Sequence, residues 1–295
     1  MTSHAIEVTD LHHRYGSTDA VHGLSLRIQP GECYGFFGRN GAGKTTAIKC
    51  LLNLLRPQKG EVRVFGLNPR THETAVKSLL AYVPDFVAFY PWMSVRGVLD
   101  YQASFRERWN SQIETELLKR FDLNPDAPSS GLSKGQKTQL ALIGAIAAEP
   151  ELLILDEPTS GLDPLVRREF IQTVIGAYQE AAPGRHTVFV STHLISEFEG
   201  LIDRFTIVDK GRDVLTARAD EARAKFQKVR ATFDGEAPGE SEFSEAKSVR
   251  REGRSLELIL NGNSEACMNR LRGFKPVQIE SESLSLEEIF VATVR

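Results

Sequence analysis

The sequence is poor in cysteine and has no excess of one charge. Only three of its 295 residues are cysteines, Cys33, Cys50 and Cys267. An odd and scattered set of this kind excludes a disulfide framework and is typical of a protein from a reducing cytosol. The 36 Lys and Arg residues face 39 Asp and Glu residues, which gives a net charge of −3. Because nucleic-acid-binding proteins are usually basic, we predict no nucleic-acid partner.

Long hydrophobic runs are also missing. Runs such as Leu152–Leu155 have the length of a strand, whereas a helix that crosses a bilayer needs about 20 apolar residues. We therefore expect no membrane-spanning segment. Hydrophobic residues still make up 41% of the chain. That content is ample for a folded core and excludes disorder of the whole chain.

The strand and helix patterns alternate along most of the chain. Two early segments, Ile6–Leu11 and Leu24–Ile28, alternate between apolar and polar residues, as in a sheet with one exposed face. Continuous apolar runs at Cys33–Phe37, Leu79–Val83 and Leu152–Asp156 indicate strands buried on both faces. We therefore predict an α/β fold with a mainly parallel sheet and a small antiparallel β subdomain.

Two further changes in sequence pattern and composition suggest the domain organisation. Helical spacing dominates residues 85–150, which predicts a helical insertion in the α/β core. After about residue 225 the chain becomes acidic and rich in turn residues, and strand and helix patterns then alternate again. We predict a first domain over residues 1–225 and a small α+β C-terminal extension over residues 226–295.

A glycine-rich segment follows the first buried strand. Residues 38–45 read G-R-N-G-A-G-K-T, which is the P-loop pattern G-x-x-x-x-G-K-[ST] between a strand and a helix. Backbone N–H groups in such a loop bind phosphates, and the helix N-terminus favours anions. Lys44 is expected to reach the β- and γ-phosphates, and Thr45 to ligate Mg²⁺. The alternative is a glycine-rich turn that precedes a lysine by chance. The nucleotide-binding candidates here are Gly38, Asn40, Gly41, Ala42, Gly43, Lys44, Thr45 and Thr46.

A second buried strand ends in two acidic residues. Asp156 at its tip suits an Mg²⁺ partner, and Glu157 suits the general base that activates the attacking water. Read alone, the pair could also cap a solvated strand edge. The P-loop upstream favours the catalytic interpretation.

The segment before this strand resembles a known family. Residues 131–136 read G-L-S-K-G-Q and resemble the L-S-G-G-Q signature of ATP-binding cassette (ABC) ATPases, with Lys134 in place of a glycine. The resemblance implies that Ser133, Gly135 and Gln136 bind the γ-phosphate of an ATP held by another subunit. Ser133 is a good helix N-cap, and free N–H groups attract anions. By itself, the pentapeptide could equally be an ordinary cap.

Three more motifs of this family follow its order along residues 4–225. Tyr15 resembles the aromatic that stacks on adenine, although it could be a core aromatic at a turn. Asp163, within S-G-L-D-P, resembles the D-loop that touches the opposite active site. His193 follows a strand and resembles the switch histidine that contacts the γ-phosphate; its alternative is a structural histidine.

The sequence departs from the family pattern after Leu79–Val83. The family usually places a glutamine there, and this chain has Asp85, whose oxygen can serve Mg²⁺. The alternative is a turn residue that faces water. The aromatic run Phe86–Met93 follows, where the family receives a short cytoplasmic helix of the membrane subunit. These aromatics could instead form the core that joins the helical insertion to the sheet.

The resemblance implies an ATP-hydrolysing subunit that uses ATP and Mg²⁺ to power a membrane transporter. Its expected partners are a transmembrane permease subunit and a second nucleotide-binding subunit, either a second copy or a close paralogue. Its expected place is the cytoplasmic face of the membrane, as a peripheral protein. The tail S-L-E-E-I-F at residues 285–290 resembles that of type-two exporters. The alternative is a soluble ABC ATPase of translation or DNA repair. Those of translation usually carry two cassettes in tandem, whereas this sequence has one. Those of DNA repair carry a long coiled-coil insertion, for which the span between Asp85 and Gly131 is too short.

Overall fold

The structure is a computed structural model, and it describes residues 4–179, 186–262 and 264–294. The chain divides into two compact units, Met1–Val214 and Leu215–Arg295. Among the described residues, no helix is long and apolar enough to cross a membrane.

Most of the first unit alternates strands and helices. In chain order its elements are β1 (Ile6–Tyr15), β2 (Thr18–Ile28), β3 (Cys33–Gly38), α1 (Lys44–Leu51), β4 (Lys59–Val64), α2 (Glu73–Leu79), β5 (Leu80–Val83), α3 (Val95–Ala103), α4 (Ser111–Arg120), α5 (Lys134–Ala147), β6 (Leu152–Asp156), α6 (Pro164–Gln179), β7 (Thr187–Thr192), α7 (Ile195–Phe198), β8 (Arg204–Asp209) and β9 (Arg212–Arg218), which spans the division.

A six-stranded sheet in the order β5-β6-β7-β3-β8-β9 forms the centre of the first unit. The pairs from β5 to β8 are all parallel, and Asp156 of β6 stands opposite Ser191 of β7. All five residues of β6 are buried, as its continuous apolar run predicts. Because the strands are parallel, the chain leaves β5, β6, β7 and β3 at the same edge, where ligands bind in such sheets.

A three-stranded antiparallel sheet in the order β2-β1-β4 accompanies the central sheet. Its inward-facing residues share one hydrophobic core with α1 and with Tyr34 and Phe36 of β3. The helices α3, α4 and α5 fall within residues 85–150. These observations confirm the predicted α/β P-loop fold with an antiparallel β subdomain and a helical insertion.

Some element boundaries differ from the prediction. The sequence after the phosphate loop predicts a helix over about Thr45–Leu55, but α1 ends at Leu51, because the chain turns through Asn53 with a φ of 57°. The apolar run at Leu79–Val83 is a strand only from Leu80, since Leu79 closes α2. That helix is missing from the sequence prediction.

The second unit has a sheet and core of its own. Its remaining elements are α8 (Ala219–Lys225), β10 (Phe226–Thr232), β11 (Ser248–Glu252), β12 (Ser255–Asn261), α9 (Ser264–Gly273), β13 (Gln278–Ser283) and α10 (Leu286–Thr293). The four strands pair antiparallel in the order β11-β12-β10-β13, and a cluster that includes Val229, Phe243 and Leu258 forms the core. This arrangement confirms the predicted α+β extension, although β10 and β11 are not anticipated by the sequence prediction.

Candidate nucleotide site

The phosphate loop links the end of β3 to the start of α1. Gly41 and Gly43 have φ values of 83° and 103°, which favour glycine. A Cβ at Gly43 would also lie 2.2 Å from the carbonyl oxygen of Ala20. Lys44 begins α1 and is buried, and its Nζ donates to the carbonyl oxygen of Gly38 at 2.7 Å. The Lys44 side chain therefore folds back over the loop to its first residue.

The remaining candidates of this loop differ in their exposure to solvent. Asn40, Gly41 and Thr45 are exposed, whereas Thr46 is half-buried on α1. Ala42 is buried, and its N–H donates back to the carbonyl oxygen of Arg39 at 3.1 Å. The loop is thus closed by this backbone hydrogen bond and by the Lys44 side chain, whose Nζ donates to the carbonyl oxygens of Gly38 and Arg39.

Glu157 connects three of the predicted motifs. Its Oε1 lies 2.9 Å from Lys44 Nζ, and its Oε2 lies 2.8 Å from His193 Nδ1. The same Oε2 accepts from the backbone N–H of His193 at 3.3 Å and from Thr192 Oγ1 at 3.2 Å. Glu157 is only 8% exposed, and a buried carboxylate of this kind requires such partners. Its φ of 47° and its N–H bond to the carbonyl oxygen of Ser191 turn the side chain back over the strand ends.

Asp156 is fully buried beside this group. Its Oδ1 accepts from Ser191 Oγ at 2.9 Å. Its Oδ2 has no hydrogen-bond partner among the described residues. Burial raises the pKa of Asp156, and the hydrogen bonds from Thr45 and Ser191 oppose that rise. A buried carboxylate oxygen that has no hydrogen-bond donor is an acceptor that a bound cation or donor would satisfy.

Asp85 follows β5 at the same edge and is exposed. Tyr82, a half-buried residue of β5, precedes it by three residues. Burial raises the pKa of the Tyr82 hydroxyl well above its usual value, and the negative charges of Asp156 and Asp85 raise it further. The charges of both carboxylates thus act on one phenol.

The signature segment forms a well-defined helix start. Ser133 Oγ accepts from the N–H of Gln136 at 3.2 Å, and the Gln136 side chain accepts from the N–H of Ser133 at 3.0 Å. This reciprocal pair is a capping box. A Cβ at Gly135 would lie 3.2 Å from Val166 Cγ1, so the glycine allows α5 to pack closely on the start of α6.

Two other candidates are exposed. Tyr15 closes β1 with 47% of its surface accessible, and its ring meets the ring of His13 edge-on at 4.8 Å. Asp163 precedes α6, and its carbonyl oxygen accepts from the N–H of Arg167 at 2.9 Å. In the part of the chain that the structure describes, no hydrogen bond or ion pair joins Tyr15, Asp163 or the capping box to Glu157 or Lys44.

Several contacts of the site are not anticipated by the sequence prediction. Ser191 and Thr192 bind the two carboxylates, and Lys134 donates to the carbonyl oxygen of Ser160 at 2.7 Å. A signal for the first two existed, because hydroxyl residues at the end of a buried parallel strand lie at the ligand edge. A lysine in a helix cap carries no such signal.

Known proteins resemble this chain in sequence and fold. The sequence profile described as "ABC transporter" matches residues 21–160. The "Daunorubicin resistance ATP-binding protein DrrA3" of Streptomyces coeruleorubidus is 31% identical over 99% of this chain and 96% of its own length. The "Bacitracin transport ATP-binding protein BcrA" of Bacillus licheniformis is 34% identical over 70% of this chain and 67% of its own. A solved "ATP binding subunit of ABC transporter" is 27% identical, with a TM-score of 0.67 over 75% of this chain and 92% of its own.

These similarities agree with the geometry of the strand edge. The relatives are named for resistance and transport, which confirms the transport ATPase that the sequence predicts over the alternative of translation or DNA repair. The phosphate loop, the buried carboxylates and the profile match point to one conclusion. The chain belongs to the ATP-binding proteins of ABC transporters, the family of ATPases that couple ATP hydrolysis to transport across membranes.

Proposed function

We propose that this chain is the ATPase subunit of an exporter and that it works as a dimer with two shared ATP sites. The observation that carries the proposed ATP hydrolysis is the buried Glu157 carboxylate at the strand edge, held between Lys44 and His193. It brings a phosphate-binding cation, a base and a switch residue into one contact group. Such a group suits hydrolysis of a phosphoanhydride.

The chemistry follows from exchanges within this group. When ATP occupies the phosphate loop, Lys44 Nζ leaves Glu157 Oε1 and binds phosphate oxygens. Glu157 Oε1 then accepts a proton from the attacking water, whose oxygen bonds to the γ-phosphorus while the bond to the β–γ bridging oxygen breaks and ADP leaves. His193 keeps Glu157 Oε2 in place by donating from Nδ1, and with a proton on its second ring nitrogen it also donates from Nε2 to the γ-phosphate. Thr192 and the backbone N–H of His193 hold the carboxylate orientation throughout.

The residues around Asp156 fit Mg²⁺. The orphaned Asp156 Oδ2 and the Thr45 hydroxyl are hard oxygen ligands, and Asp85 lies nearby. Among the described residues, no cluster of three or more His, Cys, Asp or Glu side chains could hold a metal alone. A cation here would complete its shell with phosphate and water oxygens, as Mg²⁺ does. Bound there, it would neutralise phosphate charge.

The dimer follows from the exposed helix start. Ser133 is exposed, and within the part of the chain that the structure describes the first N–H groups of α5 have no acceptor beyond the capping box. A phosphate of a second copy can therefore bind there. We assign Ser133, Gly135 and Gln136 to the γ-phosphate of the partner's ATP and Asp163 to the partner's site. Tyr15, exposed at the end of β1, is assigned to adenine stacking.

A surface rich in exposed aromatics supports a permease partner. Phe86 and Trp92 are 80% and 75% exposed, and Tyr90 stacks on Trp92 with ring centroids 4.7 Å apart. This aromatic surface continues through Tyr101 of α3 to Phe105, which follows the end of that helix. Exposed aromatics concentrate where proteins bind each other. We propose that the surface receives the permease and so keeps this chain at the cytoplasmic face of the membrane.

The names of the relatives support export as the direction. They concern resistance to daunorubicin and transport of bacitracin, and a further relative is a "Nod factor export ATP-binding protein I" of Rhizobium etli, 32% identical over 72% of this chain. We propose an amphiphilic small molecule, peptide or oligosaccharide of this kind as the exported substrate.

The proposal is tested by Glu157→Gln. The variant should bind MgATP but hydrolyse it ~10²–10⁴-fold more slowly, because the amide cannot accept the proton of the attacking water. It should also accumulate as an ATP-bound dimer in size-exclusion chromatography. Glu107→Gln, at an exposed position on the same unit, is the matched control and should retain the parent rate. An unchanged rate in Glu157→Gln would contradict the assignment of the base.

A further inference from the structure

We propose that Lys134 is a positioning residue that ties the signature helix to the Ser160–Asp163 loop of its own chain, and through that loop to its own Glu157. The inference rests on the proposed function, because it concerns how the two ATP sites of a dimer communicate. The signature helix serves the partner's ATP, whereas Glu157 serves the chain's own ATP. Lys134 links the two within one subunit.

The first observation is the contact itself. Lys134 Nζ donates to the carbonyl oxygen of Ser160 at 2.7 Å. The next residue, Gly161, has a φ of +69°, and a Cβ there would lie 3.2 Å from Lys134 Nζ. The loop thus has both the backbone conformation and the space that the lysine side chain needs. An ammonium is also a stronger donor to a carbonyl than a neutral group.

The second observation continues the link toward the catalytic group. The N–H of Ser160 donates to the carbonyl oxygen of Glu157 at 3.1 Å. Glu157 itself has a φ of 47°, a conformation that persists only when its surroundings enforce it. Ser160 therefore accepts a hydrogen bond from Lys134 through its carbonyl oxygen and donates one to the Glu157 carbonyl oxygen through its N–H. A shift of the signature helix is transmitted to the backbone of the base.

A second cation holds the other end of the same loop. Arg167 of α6 donates from Nη2 to the carbonyl oxygen of Leu162 at 3.2 Å. Arg167 also pairs with Glu197, which lies on α7, directly after the segment of His193. Two carbonyl oxygens of the Ser160–Asp163 loop are therefore held by two cations on two different helices. With glycine at position 134, the Ser160 carbonyl oxygen would lose its donor from the signature helix.

The competing interpretation is that Lys134 acts on the ATP of the partner subunit. The two interpretations differ in the site that they affect. A link within the chain acts on the site that contains the chain's own Lys44 and Glu157, whereas a phosphate contact acts on the partner's site. Heterodimers with one silenced site separate these effects.

The experiment uses two differently tagged, full-length copies that are co-expressed and purified through both tags. In the first pair, one copy carries Lys134→Met and the other carries Glu157→Gln, so the active site has the Glu157 of the Lys134→Met copy. In the second pair, one copy carries both substitutions and the other is unmodified. The active site of this pair only borrows its signature helix from the Lys134→Met copy.

We expect the first pair to hydrolyse ATP about fivefold to tenfold more slowly than the same pair without Lys134→Met, which is the scale of one lost charged hydrogen bond at an exposed site. The KM for ATP should not change, because Lys134 lies outside the phosphate loop. The second pair should keep its rate. Lys134→Arg should restore the first pair, and Lys137→Met on the same helix should leave it unaffected.

Slowing confined to the second pair, equal slowing of both pairs, or no slowing in either would overturn the inference. Failure of the proposed function looks different. In that case the unmodified chain would not hydrolyse ATP, or Glu157→Gln in both copies would not abolish the activity.

Discussion

At the scale of single residues, Asp156 serves the function of the site and lowers the stability of the folded chain. Burial raises its pKa, so at neutral pH the ionised carboxylate destabilises the folded chain in the absence of a cation. Its Oδ1 accepts a hydrogen bond from Ser191 that an amide oxygen could also accept. The position therefore suits metal binding better than it suits folding.

Asp156→Asn is expected to raise the free energy of unfolding of the nucleotide-free chain by roughly 0.5–2 kcal/mol at pH 7. The folded pKa is raised, so the parent loses stability as pH rises from the unfolded pKa of about 4 through the folded pKa. The gain of the variant should therefore vanish below about pH 4. Urea unfolding at several pH values measures it, with exposed Asp126→Asn as the control. A destabilised Asp156→Asn at pH 7 would refute this account.

Asp85 is tested by its dependence on Mg²⁺. Asp85→Ala removes the oxygen and should raise the Mg²⁺ concentration for half-maximal hydrolysis about tenfold. Asp85→Gln keeps an oxygen, removes one negative charge beside Asp156 and should retain at least the parent rate. The measurement is a magnesium titration of the ATPase rate. If Asp85→Ala matches the parent, then Asp85 is only a turn residue.

At the scale of secondary-structure elements, the sequence predicts what depends on local pattern. The continuous apolar runs of β3, β5 and β6 predict buried parallel strands, and the shared strand edge predicts that Gly38, Asp156 and His193 lie close together. Short elements without strong periodicity, such as α2 and β11, are not predictable in this way. The contacts of Lys134 and Thr192 depend on tertiary packing that no local pattern encodes.

The aromatic surface beside α3 makes an element-scale prediction. Trp92→Ala removes an exposed ring that stacks on Tyr90 and should weaken recovery of the permease about thirtyfold, the scale of one aromatic hot spot of about 2 kcal/mol. The measurement is co-purification of tagged chain with the permease from membranes, with the melting temperature of the chain as a folding check. Val277→Ala removes exposed apolar surface in the other unit and serves as control. Equal recovery of Trp92→Ala and parent would show that these aromatics do not bind the permease.

At the scale of the whole molecule, one chain supplies one phosphate loop and one signature helix. The structure joins Lys44, Glu157 and His193 into one group but leaves Ser133 outside it among the described residues. We infer that a complete ATP site requires two chains. The sequence carries this inference only through the family resemblance, because no motif by itself reveals which chain completes which site.

The most direct test of the account mixes two inactive variants. Lys44→Ala removes the phosphate cation of one copy, and Ser133→Arg blocks the helix start of the other. Each variant alone should lose nearly all activity, because both of its sites are damaged. A mixture should form heterodimers in which one site carries both lesions and the other is intact, so ATP hydrolysis should partly recover in proportion to the heterodimer. Full activity of either variant alone, or activity of an isolated monomer, would contradict the shared ATP sites.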